Sequence, residues 1–245
     1  MALLEVDSVV RKLGGSRSSV TIGPVSLHVE SGTVTALVGR SGSGKSTVLN
    51  CAAGLMRPSA GRVLFDGADI ARASDQRLAR LRRDAFGFVF QDYTLIDPLT
   101  GRENIELPAR MSRRRLDADS LSHLADTLGL DRHLEVTTDR LSGGQRQRVA
   151  IARAVANGAR VIFADEPTGA LDPVTRDEVM ELMLGTVDDT SSPVQAIVMA
   201  THDVELAARA DRVLVLAGGS VHDVLDHPTS RDVMAVLRQA PESAA

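Results

Sequence analysis

The sequence has very few of the residues that build disulfide frameworks or aromatic ligand cages. Its 245 residues include no tryptophan, one tyrosine and one cysteine. Cys51 therefore has no partner for a disulfide within the chain, and we expect a buried, unreactive thiol on a helix. A reducing compartment is the expected environment.

A long apolar run and an excess of positive charge are also missing. No apolar run approaches the roughly 18 residues of a membrane-spanning helix, and Glu5 and Asp7 stand where a signal peptide carries basic residues. The formal net charge of −4 offers no electrostatic case for binding nucleic acid. We read the basic run at 113–115 as a solvated face or a partner contact. The sequence thus predicts neither a direct membrane span nor a nucleic-acid partner.

What is present is the composition of an ordinary globular protein, 43% apolar and 24% charged. Strands alternate with helices along most of the chain, which predicts an α/β fold with a mostly parallel sheet. Two β-rich runs at the start predict a small antiparallel layer, whereas residues 97–140 have helical patterning and predict an inserted helical lobe. We predict a single domain over residues 1–245, with a disordered tail at 239–245.

A glycine-rich loop follows the apolar run TVTALV. Residues 39–46 read GRSGSGKS, a full match to the GxxxxGK[ST] phosphate loop between a strand and a helix. Glycines allow successive backbone N–H groups to face phosphate oxygens, and the helix N-terminus adds partial positive charge. A flexible Gly/Ser turn is the alternative, and the strand-to-helix setting argues against it. The predicted nucleotide-binding residues here are Gly39, Arg40, Ser41, Gly42, Ser43, Gly44, Lys45, Ser46 and Thr47.

Three side chains of this loop have distinct predicted roles. Lys45 supplies a full positive charge to the β and γ phosphates, so it is also a candidate catalytic residue. The Ser46 hydroxyl is a candidate Mg²⁺ ligand, and Thr47 donates to a neighbouring phosphate.

Two adjacent acids, Asp165 and Glu166, end the apolar strand VIFA. Ligands of open α/β sheets bind at the carboxyl ends of strands. Asp165 is a candidate Mg²⁺ ligand because this hard cation prefers oxygen ligands. Glu166 is the candidate general base, a role worth typically 10²–10⁴ in rate. Alone, such a pair often marks only a solvated turn, but the phosphate loop favours the functional interpretation.

A second helix N-terminus suited to anions begins at Ser142. This serine is a predicted N-cap, followed by Gly143, Gly144 and Gln145. A well-capped helix would explain SGG by itself. However, residues 141–145, LSGGQ, match residue for residue the signature of the ABC ATPase family, which the chain resembles. In that family the phosphate loop of one subunit and the signature of another close on one ATP, head to tail.

The resemblance extends over roughly Leu4 to Val221 and implies a RecA-like core that binds ATP and Mg²⁺. Gln91 matches the glutamine that contacts Mg²⁺ and water and reports to a membrane partner. Asp172, in PTGALD, matches a residue that crosses the dimer interface. His202 matches the histidine that holds the γ-phosphate and orients Glu166 and water. The resemblance therefore implies catalytic roles for Gln91 and His202, a nucleotide contact for Asp172, and a metal contact for Gln91.

Within the family, residues 81–109 and 164–172 are most similar to ATPases of macrolide-exporter and lipoprotein-release systems, a group that includes a cell-division ATPase. The resemblance implies a homodimer that drives a transmembrane permease from the cytoplasmic face of the membrane. An ABC ATPase of soluble machinery is the alternative. Its ribosomal members carry two cassettes and its DNA-repair members a long coiled coil, and neither feature is present in this sequence.

Two features depart from the family. A proline commonly found shortly before the signature is absent from TTDRLSGGQ, and residues 1–64 contain no aromatic residue to stack on adenine. Leu13 occupies the approximate position of that aromatic residue. Arg11 or Arg17 is a candidate to stack its guanidinium on the base instead. We expect weak discrimination between ATP and GTP.

Overall fold

The computed structural model describes residues 2–14, 20–111 and 116–241. Arg17, the basic run at 113–115 and residues 242–245 of the predicted tail lie outside the described residues. The strands are β1 (Leu4–Leu13), β2 (Val20–Val29), β3 (Thr33–Val38), β4 (Ala60–Phe65), β5 (Ala68–Asp69), β6 (Phe86–Phe90), β7 (Val161–Asp165), β8 (Ala196–Thr201), β9 (Arg212–Ala217) and β10 (Ser220–Asp226). The helices are α1 (Lys45–Ala52), α2 (Asp75–Asp84), α3 (Gly101–Met111), α4 (Ala118–Thr127), α5 (Gly143–Ala156), α6 (Pro173–Asp188), α7 (Val204–Ala207) and α8 (Ser230–Gln239).

The chain divides into two compact units, residues 1–79 with 198–245, and residues 80–197. The first unit holds an antiparallel sheet in the order β2-β1-β4-β5. It also holds a second set of strands in the order β10-β9-β3-β8. β3 and β9 are parallel, with Val38 opposite Val215, and β10 is antiparallel to β9. Every residue of β3 after Thr33 is buried, which explains its continuous apolar run.

In the second unit β6 and β7 pair in parallel, with Phe90 opposite Asp165. Phe86 packs edge-on against Phe163, with ring centroids 5.2 Å apart. Helix α5 lies against β6. A Cβ at Gly87 would meet the Cβ of Ala154 at 2.9 Å, so only glycine allows α5 to approach β6 this closely.

The α/β prediction, with an antiparallel layer and a mostly parallel sheet, is confirmed. The described part of 97–140 contains α3, α4 and a 3₁₀ turn at Thr138–Arg140, and its only extended pairing is the single bridge between Thr100 and Thr137. Its helical patterning is thus confirmed, whereas the division of the chain into one domain with an inserted lobe stays a prediction. Cys51 is buried, and burial raises the pKa of its thiol to about 11, as expected for an unreactive cysteine.

Four elements were not anticipated from the sequence: β5, α2, β10 and α8. The two helices bury little: α2 buries only Leu78, and α8 buries only Val233. The predicted disordered tail is wrong at Gln239, the last residue of α8. This helix begins with a capping box in which Thr229 and Asp232 satisfy each other's backbone N–H groups. Among the described residues, no helix is long and apolar enough to cross a membrane.

Candidate nucleotide-binding site

The phosphate loop lies at the carboxyl end of β3 and leads directly into α1, as predicted. Gly42 and Gly44 have φ of 80° and 99°, in the left-handed region that favours glycine. Gly39 passes so close to β9 that an added Cβ would lie 2.4 Å from the Leu216 carbonyl oxygen. The loop conformation therefore requires glycine at three of its positions.

Two polar side chains are buried inside this loop, Lys45 and Ser43. Lys45 Nζ donates to the Gly39 carbonyl at 2.9 Å, so the ammonium group lies under the loop. The buried Ser43 hydroxyl has no hydrogen-bond partner among the described residues. Burying a hydroxyl without a hydrogen bond is costly, and a bound ligand could supply the missing hydrogen bond. The loop thus fits a phosphate group, which would accept from its amides and from Lys45.

His202 lies one residue beyond β8, which neighbours β3 in the first unit. The turn around it is tied down on both sides. Thr201 Oγ1 accepts from the Asp203 N–H at 3.0 Å, and the Asp203 carboxylate caps α7 by accepting from the N–H groups of Glu205 and Leu206. His202 itself is exposed. The structure thus places this histidine on a capped turn at the end of a strand.

Gln91, Asp165 and Glu166 come together at one edge of the second unit. Phe90 and Asp165 are paired across β6 and β7. Gln91 and Glu166 each follow one of these paired residues, so they emerge from neighbouring strand ends. The acidic pair thus lies at the carboxyl end of its strand, as the sequence predicted, and Gln91 lies at the end of the neighbouring strand.

Glu166 adopts a left-handed backbone conformation, with φ of 47°. This region is unfavourable for a residue with a Cβ and costs of order 1–3 kcal/mol. The Glu166 carbonyl accepts from the Gly169 N–H at 3.1 Å, which closes a turn immediately after the strand. The strained turn therefore sets the position at which the candidate base leaves its strand. Nothing in the sequence pattern predicted this turn.

Ser142 is the N-cap of α5, as predicted. Its hydroxyl accepts from the Gln145 N–H at 3.3 Å, and the Gln145 side chain accepts from the Ser142 N–H at 2.9 Å, forming a capping box. A Cβ at Gly144 would lie 2.3 Å from Thr175 Cγ2, so α6 packs directly on this glycine. The candidate signature is therefore a helix start with a capping box, packed against α6.

Asp172 is the N-cap of α6 and accepts from the Thr175 N–H at 3.1 Å. Hydrogen bonds from the Thr175 side chain and backbone N–H lower the pKa of the Asp172 carboxyl. A Cβ at the preceding Gly169 would lie 3.0 Å from the Gln91 side chain. The buried Gln147 donates to the Pro167 carbonyl, which ties this turn to the signature helix as well.

Sequence analysis missed the side chains that connect these segments. Tyr93 and Thr94 have φ of 62° and 49°, so two consecutive non-glycine residues after Gln91 are left-handed. Arg153 of α5 donates to both of their carbonyls. Burial lowers the pKa of this guanidinium, whereas the nearby Asp92 acts in the opposite direction. An arginine within a helix gives no sequence signal of a contact with a loop some 60 residues away.

The N-terminal layer offers an apolar edge where the family aromatic is missing. Leu13 is half-buried and pairs with the exposed Val20 at the open end of β1 and β2. Arg11 donates from Nη1 to the Arg57 carbonyl at 2.8 Å. Its guanidinium would have to leave this contact in order to stack on a base.

Comparison with known families identifies the class of this protein. A model described as "ABC transporter" matches residues 22–169, and a model described as "P-loop domain" matches residues 108–238. The chain belongs to the ABC transporter family, as an ATP-binding cassette of the ATPase type.

Curated relatives are named as exporters. The chain is 43% identical over 225 residues to the "Macrolide export ATP-binding/permease protein MacB 2" of Aeromonas hydrophila, covering 90% of this chain and 34% of the relative. It is 45% identical over 227 residues to the "Pyoverdine export ATP-binding/permease protein PvdT" of Pseudomonas putida, covering 89% and 34%. The chain thus spans about a third of the length of the curated relatives it matches.

A solved structure, the dimeric post-hydrolysis state of the ATP-binding cassette MJ0796 bound to ADP and Pi, is 34% identical, with a TM-score of 0.80. It covers 92% of this chain and 99% of that chain. A second dimeric structure of MJ0796, named as a bacterial ABC transporter cassette, has a TM-score of 0.82 at 33% identity. These similarities confirm the family resemblance and the fold expected from it.

Proposed function

We propose that the chain hydrolyses Mg-ATP as a head-to-tail dimer and thereby drives an export permease. The observation that carries this proposal is the geometry of the phosphate loop. Lys45 is buried beneath a loop in which Gly42 and Gly44 have a left-handed backbone, and the Ser43 hydroxyl has no hydrogen-bond partner among the described residues. These features support phosphate as the ligand of the loop.

The roles of the remaining site residues follow from the family resemblance, and their places in the fold support them. Glu166 orients and activates the attacking water, a role supported by its position at the end of a strand on a strained turn. His202 holds the γ-phosphate. Gln91, at the strand end next to that of Glu166, contacts the metal and water.

The side chains of Ser46, Gln91 and Asp165 supply hydroxyl, amide and carboxylate oxygens, the donor types that Mg²⁺ prefers. These three residues would hold the ion. When bound, Mg²⁺ neutralises charge that develops on the transferred phosphoryl group.

The signature acts across the dimer in this proposal. Ser142, Gly143, Gly144 and Gln145 bind the nucleotide held by the partner copy, and Asp172 lies at the same interface. Support comes from the capped helix start, whose unpaired amides suit an anion, and from the dimeric cassette structures that this chain resembles. A homodimer is the simplest assembly that completes two such sites.

Coupling to a permease is supported by the relatives named as export ATP-binding/permease proteins. We place the chain at the cytoplasmic face of the membrane, attached through that permease. The same names favour an exporter over soluble machinery.

The experiment that tests the proposal is a pair of measurements on purified protein. Wild type should hydrolyse ATP only with Mg²⁺, and Glu166→Gln should form a stable dimer with Mg-ATP, as detected by light scattering. A wild type without Mg-dependent hydrolysis, or a variant that stays monomeric at saturating Mg-ATP, would contradict the proposed mechanism. Identifying the membrane protein that co-purifies with the chain would test the permease.

A further inference from the structure

Three side-chain contacts join the loop after Gln91 to the signature helix, and no motif of the sequence indicated any of them. Arg153 donates from Nη1 to the Thr94 carbonyl at 2.6 Å and from Nη2 to the Tyr93 carbonyl at 3.0 Å. One planar guanidinium thus holds two consecutive carbonyls, a geometry that lysine cannot reproduce.

The same loop is held from a second arginine of α5. The Arg146 guanidinium carbon lies 5.5 Å from the centroid of the Tyr93 ring, within cation–π distance. Arg146 Nε is buried without a hydrogen-bond partner among the described residues. Arg146 and Arg153 are seven positions apart, two helical turns, and therefore share one face of α5.

Tyr93 also reaches the first turn of that helix. A Cβ added to Gly143 would lie 3.0 Å from the Tyr93 hydroxyl oxygen, so this hydroxyl lies against the residue after Ser142. The left-handed backbone of Tyr93 and Thr94 is unfavourable for residues with a Cβ, and local hydrogen bonds such as the one from the Thr94 N–H to the Asp92 carbonyl support it. Arg153 adds support from a distant helix because it binds the carbonyls of both residues.

We infer that Arg153 and Tyr93 are positioning residues that fix the Gln91 loop against the signature turn, so that a shift of one displaces the other. This rests on the proposed function, in which Gln91 contacts the metal and water and Ser142 binds the partner's nucleotide. Neither Arg153 nor Tyr93 needs to touch nucleotide. Their effect should appear in dimer closure through Ser142.

The test uses the full chain with Glu166→Gln as the parent and measures the protein concentration at which half of it dimerises in saturating Mg-ATP. Arg153→Leu and Tyr93→Leu should each raise this concentration about tenfold or more. ATP affinity of the monomer should stay within about twofold, because the phosphate loop is unchanged. Arg148→Leu is the matched control, since this α5 arginine contacts Glu178 and the Leu128 carbonyl instead, and its effect should stay within about twofold.

Epistasis separates positioning from general damage to the fold. If Arg153 acts through the signature, Arg153→Leu combined with Ser142→Ala should weaken dimerisation no more than the stronger single variant does. Effects that multiply, or an Arg153→Leu variant that dimerises like its parent, would overturn the inference.

Should Arg153→Leu fail to fold, Arg153→Lys and Tyr93→Phe test the same contacts. The first keeps charge without the paired donors, and the second removes only the hydroxyl facing Gly143. Both should raise the half-dimerisation concentration at unchanged melting temperature, and unchanged dimerisation in both would overturn the inference. A Glu166→Gln parent that does not dimerise would instead contradict the proposed function itself.

Discussion

The phosphate loop and the region around the signature, the two regions that we propose to bind phosphate, are built in opposite ways. In the loop, nine consecutive residues, 39–47, supply every candidate contact, and Lys45 reaches back only six positions to the Gly39 carbonyl. Around the signature, the contacts join three separate segments: the loop after Gln91, helix α5 with Gly143 and Arg153, and the turn at Gly169. Arg153 and Tyr93, for example, are 60 positions apart.

The difference predicts where a single substitution leaves the surrounding structure unchanged and where it disturbs neighbouring segments. A contiguous loop depends on its own backbone, so removing one charge leaves the rest of the fold in place. The second region depends on packing between segments, as the contacts of Gly144 with Thr175 and of Gly169 with Gln91 show. The predictions below challenge this contrast, from the largest effect to the smallest.

Lys45→Ala should produce the largest loss. Removing one partner of a buried charge contact costs about 2–5 kcal/mol, so ATP affinity should fall by about 30- to 5,000-fold and turnover should fall to background. Equilibrium binding and Mg-ATPase assays measure both. Arg62→Ala, which removes an exposed cation of the first unit, is the control and should change neither. Near-normal activity of Lys45→Ala would refute the phosphate-loop assignment.

Glu166→Gln should reduce turnover by about 10²–10⁴ while ATP affinity stays near that of wild type, because the amide keeps the shape and loses the basicity. Steady-state hydrolysis and nucleotide binding are measured on the same preparation. Glu30→Gln, at an exposed glutamate, should leave turnover unchanged. If both variants were equally active, the general base would have to be another residue.

Two substitutions at Ser142 separate its role as a helix cap from its proposed role in binding an anion. Ser142→Ala should lower the free energy of unfolding by about 0.5–2 kcal/mol, whereas Ser142→Asp preserves an N-cap and should leave it nearly unchanged. In the Glu166→Gln background, however, Ser142→Asp should abolish the ATP-dependent dimer because its charge repels phosphate. Thermal unfolding and light scattering separate the two effects. A Ser142→Asp variant that dimerises normally would mean that the signature only caps its helix.

Leu13→Tyr should have the smallest effect. An aromatic ring stacked on a base is worth about 1–3 kcal/mol. With roughly 1.4 kcal/mol of this gained at an exposed edge, ATP should bind about tenfold more tightly. Wild type should bind ATP and GTP with similar dissociation constants. A hundredfold preference for ATP would contradict weak base discrimination. No tightening in Leu13→Tyr would mean that Leu13 does not lie beside the adenine.

Much of the fold could be predicted because its strongest signals are local. The buried strands β3, β7, β8 and β9 are continuous apolar runs, and α1 and α5 follow glycine-rich starts. Elements that bury little gave no such signal, which is why α2, β10 and α8 were missed. The candidate phosphate, acidic and signature residues were all visible as motifs, since each motif is a short run of neighbours.

By itself, the amino-acid sequence determined the chemistry of this protein: which residues can bind phosphate, which can activate water, and the order in which they occur. Only the tertiary structure decided how the second region is held together. The left-handed turns at Tyr93, Thr94 and Glu166 oppose local preference, and at Tyr93 and Thr94 a distant arginine of α5 adds support to the local hydrogen bonds. Arg153 and Gly143 can meet Tyr93 only after α5 has packed on β6, and that packing depends on contacts far apart in the chain.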